Sequence, residues 1–187
     1  MIRHRFATAL ALSLSLAAAA AHASHERFHK ENPEANGGFL IVNDATYLKE
    51  CGSCHFAYTP GLLPARSWEL HMQRMEKHFG ESVVLPPATR DAIQAYLVAN
   101  AADRSPFEGS KYFMSRVKDD MTPYRLQDVP LFREMHRIIL EVISIKSKVK
   151  VRTLTNCNAC HQFAAEGSYA TSELVVPGLT PRVRAAR

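Results

Sequence analysis

The hydrophobic pattern of the chain is helical over most of its length. Apolar residues from Trp68 to Phe79 recur at three- and four-residue steps and stop at Gly80, a residue type that commonly ends a helix. Two prolines at 86–87 then introduce a second predicted helix over about 88–102. Two amphipathic helices are therefore expected in the first half of the chain.

A stronger helical pattern occupies the second half. Asp128 is the predicted N-cap of this helix, and Pro130 lies in its first turn. Its apolar stripe consists of Phe132, Met135, His136, Ile139, Leu140, Val142 and Ile143. The following segment, 146–155, alternates basic and β-branched residues, and we expect it to complete a helix rather than form an exposed strand.

Shorter elements connect these helices. A short helix is expected to begin at Asn43 or Asp44 and to run into Cys51, while prolines and glycine within 58–64 favour a turn. Residues 103–127 resemble a connector with one helical turn near 112–118. The pattern predicts a mainly α fold with almost no sheet, in one domain over residues 24–187. The connector suggests two lobes, 24–104 and 105–187.

The first 23 residues have the features of a secretory signal. Arg3 and Arg5 precede an apolar run, and a small-x-small site ends at Ala23. The apolar run is shorter than the roughly 20 residues of a membrane-spanning helix. We expect cleavage near Ala23, a periplasmic location and no transmembrane segment in the mature chain.

Charge gives little information about partners. Removal of Arg3 and Arg5 lowers the formal charge from +5 to +3, which is too small to argue for nucleic acid as a partner. The basic tail with Arg182, Arg184 and Arg187 resembles a solvated chain end.

The four cysteines form two C-x-x-C-H motifs, Cys51/Cys54/His55 and Cys157/Cys160/His161. Two thiols at this spacing can form thioether bonds to one porphyrin, and the histidine that follows can bind its iron. Two haem c groups are therefore predicted. A zinc site, a thioredoxin-like pair and structural disulfides fit less well, because both motifs carry the histidine and the pattern lacks a βαβ unit.

Each iron would need a second axial ligand. The candidates are His25, His29, His71, His78, His136, Met72, Met75, Met114, Met121 and Met135. His136 is preferred for the second haem because a buried imidazole without a partner would be costly on an apolar helix face. His78 is preferred to His71 for the first haem, and crossed ligation stays open. The methionines are expected to pack, with Met75 and Met135 contacting haem.

The run from Glu50 to Trp68 closely resembles the bacterial dihaem cytochrome c family. Further similarity lies at His78-Phe79-Gly80, at 96–102, at His136-Arg137 and at 156–161. The resemblance implies a mostly helical periplasmic protein with small helices around two low-spin haems, each held by two histidines. It supports His78 and His136 as the distal ligands. It also implies redox partners, among them a membrane b-type cytochrome and an oxygen-binding monohaem cytochrome c.

Electron transfer is the function predicted from these features. With both irons saturated, no catalytic residue is expected, and two histidine ligands predict low reduction potentials. The alternative is a dihaem enzyme of the peroxidase kind or a gas sensor, with one open or displaceable axial position.

Overall fold

The computed structural model describes residues 38–145, 151 and 153–178. The predicted signal peptide over 1–23, the candidates His25 and His29 and the basic tail lie outside this part of the chain, as do residues 146–150 and 152.

Five α-helices are present in the described residues. They are α1 Ala45–Cys51, α2 Ala65–Gln73, α3 Pro87–Ala99, α4 Glu108–Met114 and α5 Pro130–Ile145. Six 3₁₀ turns connect or follow them, at Pro60–Leu62, Met75–Lys77, Leu126–Asp128, Cys157–Ala159, Ala164–Glu166 and Thr171–Glu173. The extended pairing within the described part is limited to two isolated bridges, His78 with Glu81 and His161 with Leu174. The prediction of a mainly α fold with almost no sheet is confirmed.

Helix α1 begins where the sequence predicts. The Asp44 carboxylate accepts a hydrogen bond from the Tyr47 backbone N–H at 2.7 Å, which satisfies a free donor of the first turn. The helix ends at Cys51, so the first cysteine motif follows directly from a capped helix.

The proline-rich segment after the first motif forms a tight turn, as predicted. Pro60–Leu62 is a 3₁₀ turn, and the Trp68 indole N–H of α2 donates to the Pro60 carbonyl at 2.9 Å. A Cβ atom at Gly61 would collide with the Ser110 hydroxyl of α4. Only glycine therefore allows this turn to approach α4 so closely.

Helix α2 is shorter than predicted. The apolar spacing indicated one helix to Gly80, but α2 ends at Gln73 and a separate 3₁₀ turn spans Met75–Lys77. The chain then turns back, because the Val83 N–H donates to the Met75 carbonyl at 3.0 Å. His78 therefore lies beyond a turn rather than on the last turn of α2.

Helix α3 packs on α2 through a shared core. Ile93 and Leu97 are buried in one cluster with Trp68 and Met72. The helix ends at Ala99, three residues before the predicted end. The chain then returns to α2, where the Asp103 carboxylate accepts from the Ala65 N–H at 2.9 Å.

The connector is tethered to α2. Helix α4 begins at Glu108, before the predicted turn at 112–118. The Arg66 guanidinium donates to the Met121 carbonyl at 2.7 Å and to the Lys118 carbonyl at 3.0 Å. The single core cluster contains residues from both halves of the chain, among them Phe39, Trp68, Phe113 and Leu131. The division into lobes stays a prediction.

Helix α5 begins at Pro130. Asp128 does not cap it, because its carboxylate accepts from the Arg125 backbone N–H at 2.8 Å within the preceding 3₁₀ turn. The helix ends at Ile145, and residues 151 and 153–155 are not helical, so the predicted continuation toward Cys157 is wrong for the described residues. Over residues 38–145, 151 and 153–178, no helix is both long enough and apolar enough to cross a membrane.

Candidate haem centres

The first cysteine motif follows the end of α1. Cys51 is half-buried, Cys54 and His55 are exposed, and neither cysteine forms a disulfide. The Gly52 N–H donates to the Leu48 carbonyl at 3.0 Å, and a Cβ atom at Gly52 would collide with that carbonyl. Glycine therefore permits the tight exit from α1 between the two cysteines of this motif.

The second motif forms a single tight turn. Cys157 begins a 3₁₀ turn, and its carbonyl accepts from the His161 N–H at 2.8 Å and from the Cys160 N–H at 3.1 Å. Cys157 is buried, Cys160 is half-buried, and both are free thiols. The hydrogen bonds bring both cysteines and the histidine into one turn of backbone.

Each motif histidine faces a second histidine. The ring centres of His55 and His78 are 6.1 Å apart, and those of His136 and His161 are 6.2 Å apart. A metal–imidazole bond of about 2.0 Å, with about 1.1 Å from nitrogen to ring centre, places two rings on opposite sides of one ion about 6 Å apart. Both pairs fit this spacing, so the residues present suit the axial coordination of two haem irons.

One ring of each pair is anchored to the backbone. His55 Nδ1 lies 2.8 Å from the Phe56 carbonyl, and His136 Nδ1 lies 2.8 Å from the Phe132 carbonyl. A proton on Nδ1 satisfies these carbonyls and leaves Nε2 as the free donor for a metal. In the opposite rings, the Nδ1 atoms of His78 and His161 are buried without a hydrogen-bond partner among the described residues.

Burial keeps these rings neutral. It lowers the pKa of His161 to about 4, with a further contribution from His136, and it lowers the pKa of His136 itself. The pKa of His78 is lowered by burial and by the neighbouring His55. Neutral imidazole is the form that binds metal, so burial holds His78, His136 and His161 in the ligating state near neutral pH.

Burial also changes the pKa of two cysteine thiols. Burial raises the pKa of Cys51 to about 11, and it raises the pKa of Cys157 to about 12. Both groups stay protonated near neutral pH, which opposes metal binding as thiolates. Within the described part of the chain, no group of three or more His, Cys, Asp or Glu side chains is arranged to hold a metal ion, so the zinc alternative lacks support.

His71 has a different environment. Its ring is 8 % exposed and stacks on Tyr124 with centres 4.4 Å apart. Burial and the neighbouring His78 lower its pKa to about 4, although a hydrogen bond to the Tyr124 backbone acts in the opposite direction. Its ring centre lies 6.1 Å from that of His78, because the turn after α2 removes the separation expected along one helix. The structure thus places His78 next to His55, with His71 behind it.

The candidate methionines lie mostly in packing positions. Met72 is buried in the core, and Met75 packs against it. Met135 has 55 % of its surface exposed, on the helix that carries His136. The Met121 carbonyl accepts the Arg66 hydrogen bond, so this residue contributes its backbone to the connector.

Two tyrosines contact the motif histidines, and sequence reasoning did not single them out. The ring centres of Tyr58 and His55 are 5.2 Å apart with planes 26° apart, and those of Tyr169 and His161 are also 5.2 Å apart. Tyr58 lies three residues after His55, so its contact with the motif could have been predicted from this short distance along the chain. Tyr169 reaches His161 through the turns that follow the second motif, and no hydrophobic periodicity in that segment predicts the contact.

A cavity of about 590 Å³ lies between the two motifs. Its lining combines Cys54, His55 and Phe56 with Asn158 and Ala164 of the second motif region. This volume lies within the roughly 300–1,000 Å³ typical of cofactor pockets. Residues of the first cysteine motif and residues in and after the second motif therefore line the same cavity.

Comparison with known proteins indicates a family. A family model described as dihaem cytochrome c matches residues 47–169, which include all four cysteines and the four paired histidines. No protein with a curated description matches the chain.

Solved structures show the same similarity. The chain is 37 % identical to a diheme cytochrome c from Rhodobacter sphaeroides, with a TM-score of 0.59 over 70 % of this chain and 99 % of that one. A second structure from the same organism, described as DHC, is also 37 % identical over 70 % of this chain and 100 % of that one, with a TM-score of 0.53. The diheme cytochrome type c of Shewanella baltica OS155 is 29 % identical, with a TM-score of 0.59 over 74 % and 97 % of the two chains.

Proposed function

The chain belongs to the dihaem cytochrome c family and carries two covalently bound haem c groups with iron, and on that premise we propose that it is a periplasmic electron carrier with two bis-histidine haems. Electron transfer is the activity consistent with this family. The observation that carries the proposal is the pairing of each motif histidine with a second histidine at 6.1 and 6.2 Å.

In the proposed assignment, Cys51 and Cys54 hold the first haem and Cys157 and Cys160 hold the second through thioether bonds. His55 and His78 bind the first iron, and His136 and His161 bind the second. The bound haems supply a one-electron couple at each site. The separation of His78 from His55 supports this ligand set over one that uses His71, whose ring instead stacks on Tyr124.

The protein holds the axial histidines of each haem in place. The backbone carbonyls of Phe56 and Phe132 each fix one imidazole per pair, so these rings need little rearrangement when the charge changes. Phe132 also stacks on His136 with ring centres 4.1 Å apart. Two neutral imidazoles at each centre favour the ferric state relative to a histidine–methionine pair, so we propose low potentials for both haems.

Export and partners complete the proposal. A leader ending near Ala23 would deliver the chain to the periplasm, where covalent haem attachment takes place. The proposed partners are redox proteins: a membrane b-type cytochrome or another donor, and a soluble acceptor, for which an oxygen-binding monohaem cytochrome c is one candidate. Cell fractionation with N-terminal sequencing of the mature protein tests the location, and stopped-flow mixing with each candidate cytochrome tests the partners.

The carrier proposal is tested against the enzyme alternative with the reduced holoprotein. Both axial positions of each iron are occupied in a carrier, so carbon monoxide should leave the absorption spectrum unchanged. Hydrogen peroxide turnover with a small electron donor should stay at the level of free haem controls. A carbon monoxide complex forming on mixing, or sustained peroxide turnover, would instead establish an open site and an enzyme or sensor function.

A further inference from the structure

Tyr58 contacts both haem-attachment regions. Its ring lies against His55 of the first motif, with centres 5.2 Å apart and planes inclined by 26°. Its hydroxyl donates a 2.7 Å hydrogen bond to the Thr155 carbonyl, 97 residues further along the chain. One side chain therefore touches the proposed proximal ligand of one haem and the backbone that enters the other motif.

The acceptor at Thr155 is part of the second motif's local structure. The same carbonyl lies 3.8 Å from the Cys157 sulfur, within the limit for a weak thiol hydrogen bond. Once Cys157 forms a thioether it has no S–H to donate. The Tyr58 hydroxyl is then the donor that holds this carbonyl, two residues before the point of attachment.

Tyr58 is itself held in place by the first motif's helix. The Tyr47 hydroxyl of α1 donates to the Tyr58 carbonyl at 2.9 Å, and Tyr47 is only 2 % exposed. Burial raises the pKa of Tyr58, so its hydroxyl is a protonated donor near neutral pH. The position of Tyr58 is thus fixed from the helix that ends at Cys51.

We propose that Tyr58 is a positioning residue that joins the two haem centres. Its ring orients the His55 imidazole, and its hydroxyl fixes the segment that leads into Cys157, so the two attachment motifs are placed relative to each other. The proposal rests on the proposed ligand set, in which His55 binds iron and Cys157 carries the second haem. Electron exchange between the haems depends on that placement.

The two contacts can be separated by mutation. Tyr58→Phe keeps the ring against His55 and removes only the hydrogen bond to Thr155. Tyr58→Leu removes both. Tyr96→Phe is the matched control, because it deletes one half-buried tyrosine hydroxyl on α3, where the ring packs against Tyr47 with centres 5.6 Å apart.

The readout is the paramagnetic proton NMR spectrum of the ferric holoprotein. Haem methyl shifts depend on the orientation of the axial imidazoles, and each haem is assigned through contacts to its own thioether bridges. Tyr58→Phe should shift the methyl resonances of the second haem and leave those of the first near their wild-type positions. Tyr58→Leu should shift both sets, and Tyr96→Phe neither.

The proposal is overturned if Tyr58→Phe leaves the second haem's resonances unchanged, or if Tyr96→Phe moves them equally. Tyr58→Phe alone carries this decision if Tyr58→Leu fails to fold. Failure of the ligand set has another signature, since a wild-type spectrum with a high-spin haem would contradict bis-histidine ligation before any variant is made.

Discussion

The imidazole planes of His55 and His78 are inclined by only 19°, whereas those of His136 and His161 are inclined by 70°. The separations are nearly equal, so the two proposed centres differ mainly in ligand orientation. Ring planes that are nearly parallel split the iron orbitals that interact with them, and nearly perpendicular planes leave those orbitals close in energy.

We therefore expect two different low-spin EPR signals from the ferric holoprotein. The first centre should give an ordinary rhombic signal, and the second should give a more anisotropic signal with a larger maximum g value. Low-temperature EPR with spin quantification checks this. Two indistinguishable rhombic signals would contradict the ring orientations described above.

The potential of the second haem should respond to its distal ligand. Replacing His136 with Met substitutes a thioether ligand that stabilises the ferrous state, so the potential should rise by a sizeable part of the roughly 0.8 V range set by axial ligands. Spectroelectrochemical titration measures it. The control is Ile138→Leu on the exposed side of the same helix, for which we expect both potentials to stay at their wild-type values.

Acid should weaken the fold around His71. Its ring binds no iron in the proposed ligand set, and its pKa is lowered to about 4 in the fold, against 6.5 for an ordinary histidine, because burial and His78 disfavour the charged ring. Below pH 6.5 the unfolded chain takes up a proton that the fold resists. Stability is therefore fully present above that pH and is lost as the pH falls toward 4.

Guanidinium unfolding of the ferric holoprotein at several pH values checks this prediction. The free energy of unfolding should fall steadily over that window. A flat profile from pH 7 to 4 would show that the protonation of His71 is not linked to folding.

The cap of α1 should contribute measurably to stability. Asp44→Ala removes the acceptor of the Tyr47 N–H and should lower the free energy of unfolding by about 1 kcal/mol. Asp91→Ala is the control, because Asp91 forms an exposed ion pair with Arg90 that should contribute about 0–1 kcal/mol. Equal effects of both substitutions would argue against the capping role.

Local sequence signals predicted much of this fold. The cap at Asp44, the turn at Pro60 and the helix from Pro130 depend on side chains or ring constraints close in sequence, so the chain itself specifies them. The two C-x-x-C-H motifs are local in the same sense, and their spacing indicates haem without any tertiary information.

The distal side of the first centre depends on backbone geometry that periodicity does not reveal. Phe79 adopts a φ of +53° and Gly80 a φ of +106°, so the chain reverses where the apolar spacing suggested a continuing helix. This reversal brings His78 to within 6.1 Å of both His55 and His71. The contact of Tyr169 with His161 likewise depends on tertiary packing, which the sequence pattern alone does not specify.

The most direct test of the ligand assignment is the EPR spectrum of His78→Ala compared with that of His71→Ala, each as ferric holoprotein. His71 is the matched control, since its ring also contacts Phe79 and lies 6.1 Å from that of His78. We expect His78→Ala to replace one low-spin signal by a high-spin one and His71→Ala to retain both low-spin signals. The reverse pattern would contradict the account and identify His71 as the ligand.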